Sequence, residues 1–561
     1  MQTTGGKQPQ RAPDPATSAT GLQQMWAIAC LLVVLAIVTA VRIRLLDFPL
    51  ERDEGEFAYG GQLLLQGSSP YDGAYTLGLK LPGTTAAYAL IMGVFGQTTM
   101  GIHSGLLLVN VAAVILMFVI ARRVYGDAAG AVAAGTFALL SLIPETNGLA
   151  AHATHFVVLF ALAGIALLQN MDERTPGKTF FYAGGLLGLS FLMKQTGALF
   201  CLFGAAWIIR CELLSGQKRK GRLVERLGWL AAGGTLPLLL TCLIIAAAGD
   251  FHRFWFWAVT YAANYGTIIG WHNGLISMVT NVGQQFAAAP GLWGAALVGL
   301  PLLFWEGSLR RWRFFIAGLA VFSFAAVCPG GYFRGHYFIQ LLPAAGLLAG
   351  AAFRAISGLW SRLKISTLPG PALVFAATGA AVLIEWNAVF FLLTPTQACR
   401  AVYGLNPFPE AVEISHYIQS HCPPDARIAV LGSEPEIFFY AHRHSATGHI
   451  LTYPLVEPQP YAAAMRTQMI REIELAQPEY VVYVNIPYSW MHTTAPMDGS
   501  LLQWFERYQL QHLEMAGRVD LFPDRPSEYR WGSQTFTMES TNNLWIAILK
   551  NTGPRRVHSP R

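Results

Sequence analysis

Long apolar segments separated by short polar connections make up most of the chain as far as Leu393. Their length and composition predict membrane-spanning helices, about eleven in number. The predicted spans are Met25–Val41, Ile102–Ile120, Ala128–Leu142, Phe156–Leu168, Phe180–Met193, Ala198–Ile209, Leu227–Ala248, Leu292–Trp305, Phe314–Cys328, Tyr337–Ala352 and Ala372–Leu393. Residues 25–394 are therefore expected to form a polytopic α-helical membrane domain.

A different pattern follows at residues 395–561, where short β-branched runs alternate with amphipathic segments. Strands are predicted at Arg427–Leu431, Tyr480–Asn485 and Leu544–Leu549, and helices at Glu410–Ser420 and Tyr461–Ala476. This alternation indicates a small soluble α/β domain. Cys399 and Cys422 in this domain could form a disulfide or remain two thiols, and the sequence leaves both alternatives open.

The composition agrees with a multi-span membrane protein. Of the 561 residues, 53% are hydrophobic and 12% are charged, whereas about 25% are charged in typical soluble domains. The net charge of +6 does not indicate nucleic-acid binding, because the basic residues are scattered between the spans as the positive-inside rule describes. The clusters Arg122–Arg123, Lys218–Lys220 and Arg310–Arg313 fall on one side, which we assign to the cytoplasm.

The orientation follows from the number of spans and the side of the basic clusters. Residues 1–24 are polar and rich in Pro, Thr and Gln, so we expect a disordered cytoplasmic tail. An odd number of spans then places residues 395–561 outside the cytoplasm. We expect a multi-pass protein of the cell membrane, in a bacterial inner membrane, surrounded by membrane lipids.

The connection at residues 42–100 carries a dense acidic cluster, Arg52–Glu56, immediately after the first span. Two apolar segments within this connection are too short to cross a membrane, which predicts helices lying along its surface. Such a platform carries Asp53 and Glu54 at one end and Lys80 near its middle. Carboxylates at the mouth of a membrane domain are either solvated or used chemically, so a chemical role is worth testing.

Further cationic or imidazole side chains fall on the same outer face as Asp53. They are Lys80, Lys194, Arg334 and His336. Each alone can be a side chain that snorkels at the end of a span. Together they are suited to an anionic lipid phosphate, because Lys and Arg donate charge-assisted hydrogen bonds to phosphate oxygens. A nearby carboxylate would then act as general base on an acceptor hydroxyl, and a single displacement at a sugar's anomeric carbon would invert its configuration.

Several segments have the order and topology of a known family: Arg52–Tyr59, Gly67, Pro70–Tyr71, Lys80–Pro82, Gly185–Gln195, Phe254–Tyr261 and Gly335–Pro343. In these segments the chain resembles the C-type (GT-C) membrane glycosyltransferases, above all the protein O-mannosyltransferase-like family and its bacterial relatives, the lipid A aminoarabinose transferases. The resemblance covers residues 25–395 and extends more loosely into the C-terminal domain.

The resemblance implies a GT-C fold, a polyprenyl-phosphate-linked sugar donor bound from the membrane, and an acceptor glycan, lipid or protein that enters from the outer aqueous side. It matches Asp53 to the catalytic aspartate and Glu54 to its acidic neighbour. The residues matched to positions near the lipid phosphate are Lys80, Lys194, Arg334 and His336. One departure is that Leu81 separates Lys80 from the proline of the family's Lys-Pro element.

The next outer loop departs further from the family, whose members often carry a second acidic residue there. This chain offers Glu145, His152 and His155. Either Glu145 fills the role or His152 replaces it, and the sequence leaves both open. His152 and His155 could also ligate a metal, but no third ligand is evident nearby. We therefore expect that no metal and no other cofactor is required.

Transporters and lipid flippases also place charged residues in a membrane cavity, and they are the main alternative. Transporters often contain internal repeats, or spans interrupted by Gly and Pro in matching halves, and the sequence has no evident symmetry of this kind. A non-catalytic receptor or scaffold, the second alternative, would not depend on Asp53. A glycosyltransferase is the function that the sequence favours.

Overall fold

Most of the chain is helical up to residue 392. The computed structural model describes residues 15–69, 71, 78, 80–214, 220–363, 370–491, 499–536 and 542–553. Its membrane domain consists of α1 (Pro15–Arg44), α2 (Arg52–Leu65), α3 (Gly83–Phe95), α4 (Thr99–Tyr125), α5 (Asp127–Leu140), α6 (Ala153–Leu168), α7 (Gly177–Met193), α8 (Ala198–Leu214), α9 (Lys220–Ala247), α10 (Phe251–Trp255), α11 (Ala262–Tyr265), α12 (Gly270–Ala288), α13 (Pro290–Trp305), α14 (Arg313–Val327), α15 (Leu342–Arg362) and α16 (Gly370–Glu385). Short 3₁₀ and π segments, such as the π-helix Phe256–Tyr261, connect some of them.

Every predicted span overlaps one of these helices. Within the described ranges, four helical segments are long and apolar enough to cross a membrane by themselves: Thr99–Tyr125, Gln195–Leu214, Lys220–Ala247 and Gly335–Arg362. The pair α12 and α13 is bent by 111° and would make a fifth if it forms one span. The expected membrane domain is present, and the number of eleven crossings stays a prediction.

The start of α1 differs from the sequence-based expectation. The helix begins at Pro15 rather than at Met25, and the disordered cytoplasmic tail stays a prediction. A proline suits the first position of a helix, because its missing N–H would have no partner there. Residues 1–14 lie outside the described ranges, as do Pro70, Lys218 and Arg219.

The C-terminal domain contains a six-stranded mixed sheet within the described residues. Its elements are α17 (Pro395–Tyr403), α18 (Phe408–His421), β1 (Arg427–Leu431), α19 (Glu436–Ala441), β2 (His444–Ser445), α20 (Tyr453–Val456), α21 (Ala462–Ala476), β3 (Tyr480–Asn485), α22 (Ser500–His512), β4 (Leu513–Asp520), β5 (Glu528–Trp531) and β6 (Trp545–Asn551). The strand order is β2-β1-β3-β6-β4-β5, parallel from β2 to β3 and antiparallel from β3 to β5. The expected α/β domain is therefore confirmed.

β1 and β3 have the predicted boundaries because both are nearly continuous apolar runs. Four of the five residues of β1 are buried, as expected for a strand whose two faces are both covered. The side chains of Cys399 and Cys422 are buried free thiols, so the disulfide that the sequence left open is not formed in this structure.

The platform at residues 42–100 contains the two predicted short helices, α2 and α3. Apart from its C-terminal Leu64 and Leu65, most of α2 is buried although it carries three carboxylates. Its surroundings, described below, explain how those charges are accommodated.

Candidate active site

A reciprocal cap holds Asp53 in the first turn of α2. The Glu51 side chain accepts a hydrogen bond from the Glu54 N–H at 2.9 Å, and the Glu54 side chain accepts one from the Glu51 N–H at 3.2 Å. Such a capping box satisfies two backbone donors that the start of a helix otherwise leaves unpaired. The stretch from Glu51 to Glu54 therefore starts the helix and fixes the direction in which Asp53 points.

Asp53 and Glu56 point from one side of α2 toward Lys80. The Lys80 Nζ lies 2.9 Å from the Asp53 Oδ1 and 2.6 Å from the Glu56 Oε2. Burial raises the pKa of Asp53, but the charge of Lys80, followed by the nearby histidines, outweighs it and holds that pKa well below its usual range. The Asp53 side chain is 24% exposed, so an ionised carboxylate is accessible to a substrate.

Two histidines complete the wall beside Asp53. The His152 Nδ1 and the His336 Nε2 each lie 3.8 Å from the Asp53 Oδ2. The two imidazole rings are stacked, with centroids 4.1 Å apart and planes inclined by 14°. Neither ring nitrogen of His152 has a hydrogen-bond partner among the described residues, so this buried ring can receive a polar group of a ligand.

Burial controls the protonation of the groups behind Asp53. It lowers the pKa of His152 to about 4, against the opposing charges of Asp53 and Glu54. Burial, followed by the charges of Asp53 and Glu54, raises the pKa of Glu51 to about 8. The Glu51 Oε1 lies 3.6 Å from the His152 Nδ1. Near pH 7, a neutral imidazole and a protonated carboxyl therefore stand beside the ionised Asp53.

Lys194 and Arg334 extend the cationic side of the site. The Lys194 Nζ lies 3.8 Å from the centroid of the Tyr337 ring, and the Arg334 Nη2 donates a hydrogen bond to the Tyr265 hydroxyl at 3.3 Å. The charges of both residues interact with that of Asp53. The structure thus brings both sequence-predicted cations into the electrostatic field of Asp53.

Glu54 faces away from this cluster. Its side chain is fully buried, and its Oε1 accepts hydrogen bonds from the His103 Nε2 at 3.0 Å and from the Ala151 N–H at 2.5 Å. Adjacent residues of a helix point in directions about 100° apart, which separates Glu54 from Asp53. Glu54 holds α2 against α4 and the start of α6, whereas Asp53 alone of the two faces the site.

The connection between α5 and α6 brings His152, and not Glu145, next to Asp53. The Glu145 carboxylate is repelled by that of Glu385. The Glu145 backbone oxygen accepts a hydrogen bond from the Gln285 side chain at 2.6 Å. His155 lies against the backbone of Gly148 and Ala150. Of the sequence-predicted candidates in this loop, His152 is the one that the fold brings next to Asp53.

The ligand atoms of Asp53, His152 and His336 all lie within 4.8 Å of one another, which raises the question of a metal ion. A tetrahedral zinc ion needs nitrogen lone pairs that converge on one point about 2.0–2.1 Å away. The lone pairs of an imidazole lie in the ring plane, so two nearly parallel stacked rings do not converge. The Lys80 Nζ lies 2.9 Å from Asp53, and the charges of Lys194 and Arg334 interact with the same carboxylate. The donor set therefore fits an anion better than a dication.

Comparisons with known proteins add independent observations. Residues 80–245 match the sequence profile of the family described as dolichyl-phosphate-mannose-protein mannosyltransferase. The undecaprenyl phosphate-alpha-4-amino-4-deoxy-L-arabinose arabinosyl transferase 2 of Pseudomonas fluorescens is 27% identical over 413 residues, which are 69% of this chain and 65% of that relative. The chain thus spans less than two thirds of the length of that relative.

Solved structures of ArnT from Cupriavidus metallidurans are similar to this chain over nearly its whole length. The structure bound to undecaprenyl phosphate has a TM-score of 0.54 and 14% identity, and the similarity covers 93% of this chain and 97% of that one. The apo structure has a TM-score of 0.55 and 14% identity and covers 95% and 98%. The chain has the GT-C fold. The fold that the resemblance implied is thereby confirmed.

Within the GT-C fold, sequence reasoning missed residues on both sides of α2. Glu56 could have been found from the sequence, because a residue three positions after Asp53 lies on the same side of a helix. Glu434 and Tyr453 of the C-terminal domain, which contact the side chain of Arg52, carried none. Both residues lie far from Arg52 along the chain, so no local sequence pattern could indicate the contact.

Proposed function

We propose that the chain is an inverting glycosyltransferase that moves a sugar from a polyprenyl-phosphate donor to an acceptor hydroxyl on the extracytoplasmic face of the membrane. The observation that carries this proposal is the pairing of an accessible, ionised Asp53 with Lys80 at 2.9 Å, beside the stacked His152 and His336. A general base and a phosphate-binding group stand within one ligand's reach of each other, as displacement of a sugar from a phosphate requires.

In the proposed reaction, Asp53 accepts the proton of the acceptor hydroxyl while that oxygen forms a bond to the anomeric carbon. The bond between this carbon and the phosphate oxygen breaks, and its electron pair leaves with polyprenyl phosphate. Lys80, Lys194 and Arg334 stabilise the charge that develops on the phosphate, and His336 contacts it. One displacement without a glycosyl-enzyme intermediate inverts the anomeric configuration.

Lys80 makes the proposed reaction depend on the donor binding before the acceptor is activated. Without donor, Lys80 neutralises Asp53 and lowers its pKa, which makes the carboxylate a weak base. A donor phosphate that attracts the Lys80 ammonium would raise the pKa of Asp53 and strengthen it as a base. The acceptor hydroxyl is then activated only after the donor has bound.

The relatives support the class of donor. ArnT from Cupriavidus metallidurans was solved with undecaprenyl phosphate, and the matched family and the Pseudomonas relative are named for dolichyl and undecaprenyl phosphate sugars. By analogy, we propose a hexosyl or pentosyl donor on a polyprenyl phosphate and an acceptor that is a glycan, lipid or protein. We also propose that no metal is required, since the site already offers three cations.

The test is to incubate the purified protein with a panel of undecaprenyl- and dolichyl-phosphate sugars and an acceptor extract of the source membranes. We expect release of polyprenyl phosphate from at least one donor, unaffected by EDTA. Loss of activity in EDTA would overturn the metal-free reaction. Movement of intact donor across a vesicle membrane without release of polyprenyl phosphate would instead identify a flippase.

A further inference from the structure

One face of α2 carries Asp53 and Glu56, and another face packs against the C-terminal domain. Its contacts with that domain come from positions spaced by three and four residues, which form one face of a helix. They are Arg52, Gly55, Tyr59 and Gln62. Asp53 and Glu56 lie on the adjoining face. Any movement of the C-terminal domain against α2 therefore moves the carboxylates.

The contact is close along the whole helix. A Cβ atom at Gly55 would lie 2.5 Å from the backbone nitrogen of Glu436, so the two backbones touch. The Tyr59 hydroxyl accepts a hydrogen bond from the Ser445 N–H at 2.8 Å, and Gln62 is hydrogen-bonded to the His442 ring at 2.8 Å. These contacts fix α2 against α19 and β2.

Arg52, the residue before Asp53, makes the charged part of this contact. Its Nε donates to the Ser433 carbonyl oxygen at 2.5 Å, and its Nη2 donates to the Glu434 Oε1 at 3.2 Å. The guanidinium carbon also lies 5.1 Å from the centroid of the Tyr453 ring. Planar guanidinium groups held in this way have little freedom to turn, so Arg52 anchors the first turn of α2.

Glu434 is itself rigidly held. Its side chain is fully buried. The Oε2 accepts a hydrogen bond from the Ser433 N–H at 2.7 Å, and the Oε1 accepts one from the Ser489 hydroxyl. A buried carboxylate of this kind is costly unless a charged partner compensates it, and Arg52 is that partner.

We propose that the C-terminal domain completes the active site, with Glu434 as a positioning residue that acts through Arg52 to hold Asp53 in its reactive geometry. This inference rests on the proposed function for the role of Asp53 as base. The Glu434 carboxylate contacts Arg52, the Ser433 N–H and the Ser489 hydroxyl, so its proposed effect is on the orientation of the base. A misplacement of about 1 Å at a reacting group costs about 100-fold in rate.

The test compares Glu434→Gln, which keeps the shape and removes the charge, with Asp520→Asn. Asp520 is an equally buried carboxylate on β4, ion-paired with Arg518 at 3.0 Å and with Arg530, and β6 and β3 separate β4 from β1. We expect Glu434→Gln to lower kcat by about 100-fold with an unchanged donor KM, and Asp520→Asn to leave kcat unchanged in the folded protein.

Two further measurements separate positioning from folding. Arg52→Ala combined with Glu434→Gln should lower kcat no more than Arg52→Ala alone, because residues acting in series are not additive. Hydrogen exchange of the peptide Arg52–Leu65 should increase in Glu434→Gln and not in Asp520→Asn, and this readout needs no activity. Normal exchange of that peptide in Glu434→Gln overturns the proposal, as does a normal kcat. A wild-type protein that transfers no sugar would contradict the proposed function only. The hydrogen-exchange result would still decide whether Glu434 holds α2 through Arg52.

Discussion

Asp53 differs from its neighbour Glu54 in what surrounds it, and this difference predicts opposite results for two similar substitutions. Asp53→Asn keeps the shape but removes the base, so we expect transfer to fall by roughly 100- to 10,000-fold with donor binding largely retained. Glu54→Gln should retain kcat in the fraction that folds, because Glu54 contacts His103 and Ala151 and not the site. The measurement is release of polyprenyl phosphate by the purified variants. Full activity of Asp53→Asn would refute its role as base.

Glu51 gives a prediction for pH. Its pKa is about 8 in the folded protein against the ordinary 4.5, so the folded state binds the proton more tightly than the unfolded state. Its contribution to stability is fully present below pH 4.5 and is lost as the pH rises through 8. We expect the Tm of the wild type in detergent to fall between pH 5 and 9 more steeply than that of Glu51→Gln. Equal slopes would contradict this assignment.

The sequence was sufficient to single out residues whose charge is unusual among apolar spans. Asp53, Lys80, Lys194, Arg334 and His336 stood out as charged or imidazole groups among apolar spans. It was insufficient wherever the direction of a side chain decides the role. Glu54 is as acidic as Asp53 but points about 100° away around the helix axis. Which of Glu145 and His152 lies next to Asp53 depends on the path of the connection between α5 and α6.

Gly55 in α2 shows how close packing constrains an element. Alanine is the better helix former by about 1 kcal/mol, but its Cβ would lie 2.5 Å from the Glu436 nitrogen. Overpacking against a backbone costs about 1–3 kcal/mol, so we expect Gly55→Ala to lower both Tm and kcat. Gly228→Ala in α9, where no atom lies within 4 Å of the added Cβ, is the matched control and should leave kcat unchanged. Normal activity of Gly55→Ala would show that α2 and α19 are not tightly docked.

Elements with a strong apolar period were predictable, and those that depend on pairing were not. β1 and β3 are buried runs with the predicted bounds. β2 has only two residues, and the four residues of β5 include none that is buried, so neither carries a local burial pattern. They are strands because a neighbouring strand supplies hydrogen bonds.

For the whole molecule, the predicted orientation can be tested with single cysteines in a variant that carries Ser in place of Cys30. Leu510 in α22 is 75% exposed, and Arg174 is exposed in the connection between α6 and α7. A membrane-impermeant thiol reagent applied to intact spheroplasts should label Leu510→Cys. Arg174→Cys should be labelled only after lysis, because its side is predicted to be cytoplasmic. The reverse pattern would invert the topology and move the site to the cytoplasmic face.

The contact between Arg52 and Glu434 also has a consequence for biosynthesis. The two residues are 382 positions apart, a stretch that takes about 20–75 s to synthesise at roughly 5–20 residues per second. β1 pairs with β3, and β3 pairs with β6, so the sheet that supports this contact is complete only after β6 has emerged. If the proposed function is correct, a nascent chain already inserted in the membrane would therefore transfer no sugar until β6 is paired.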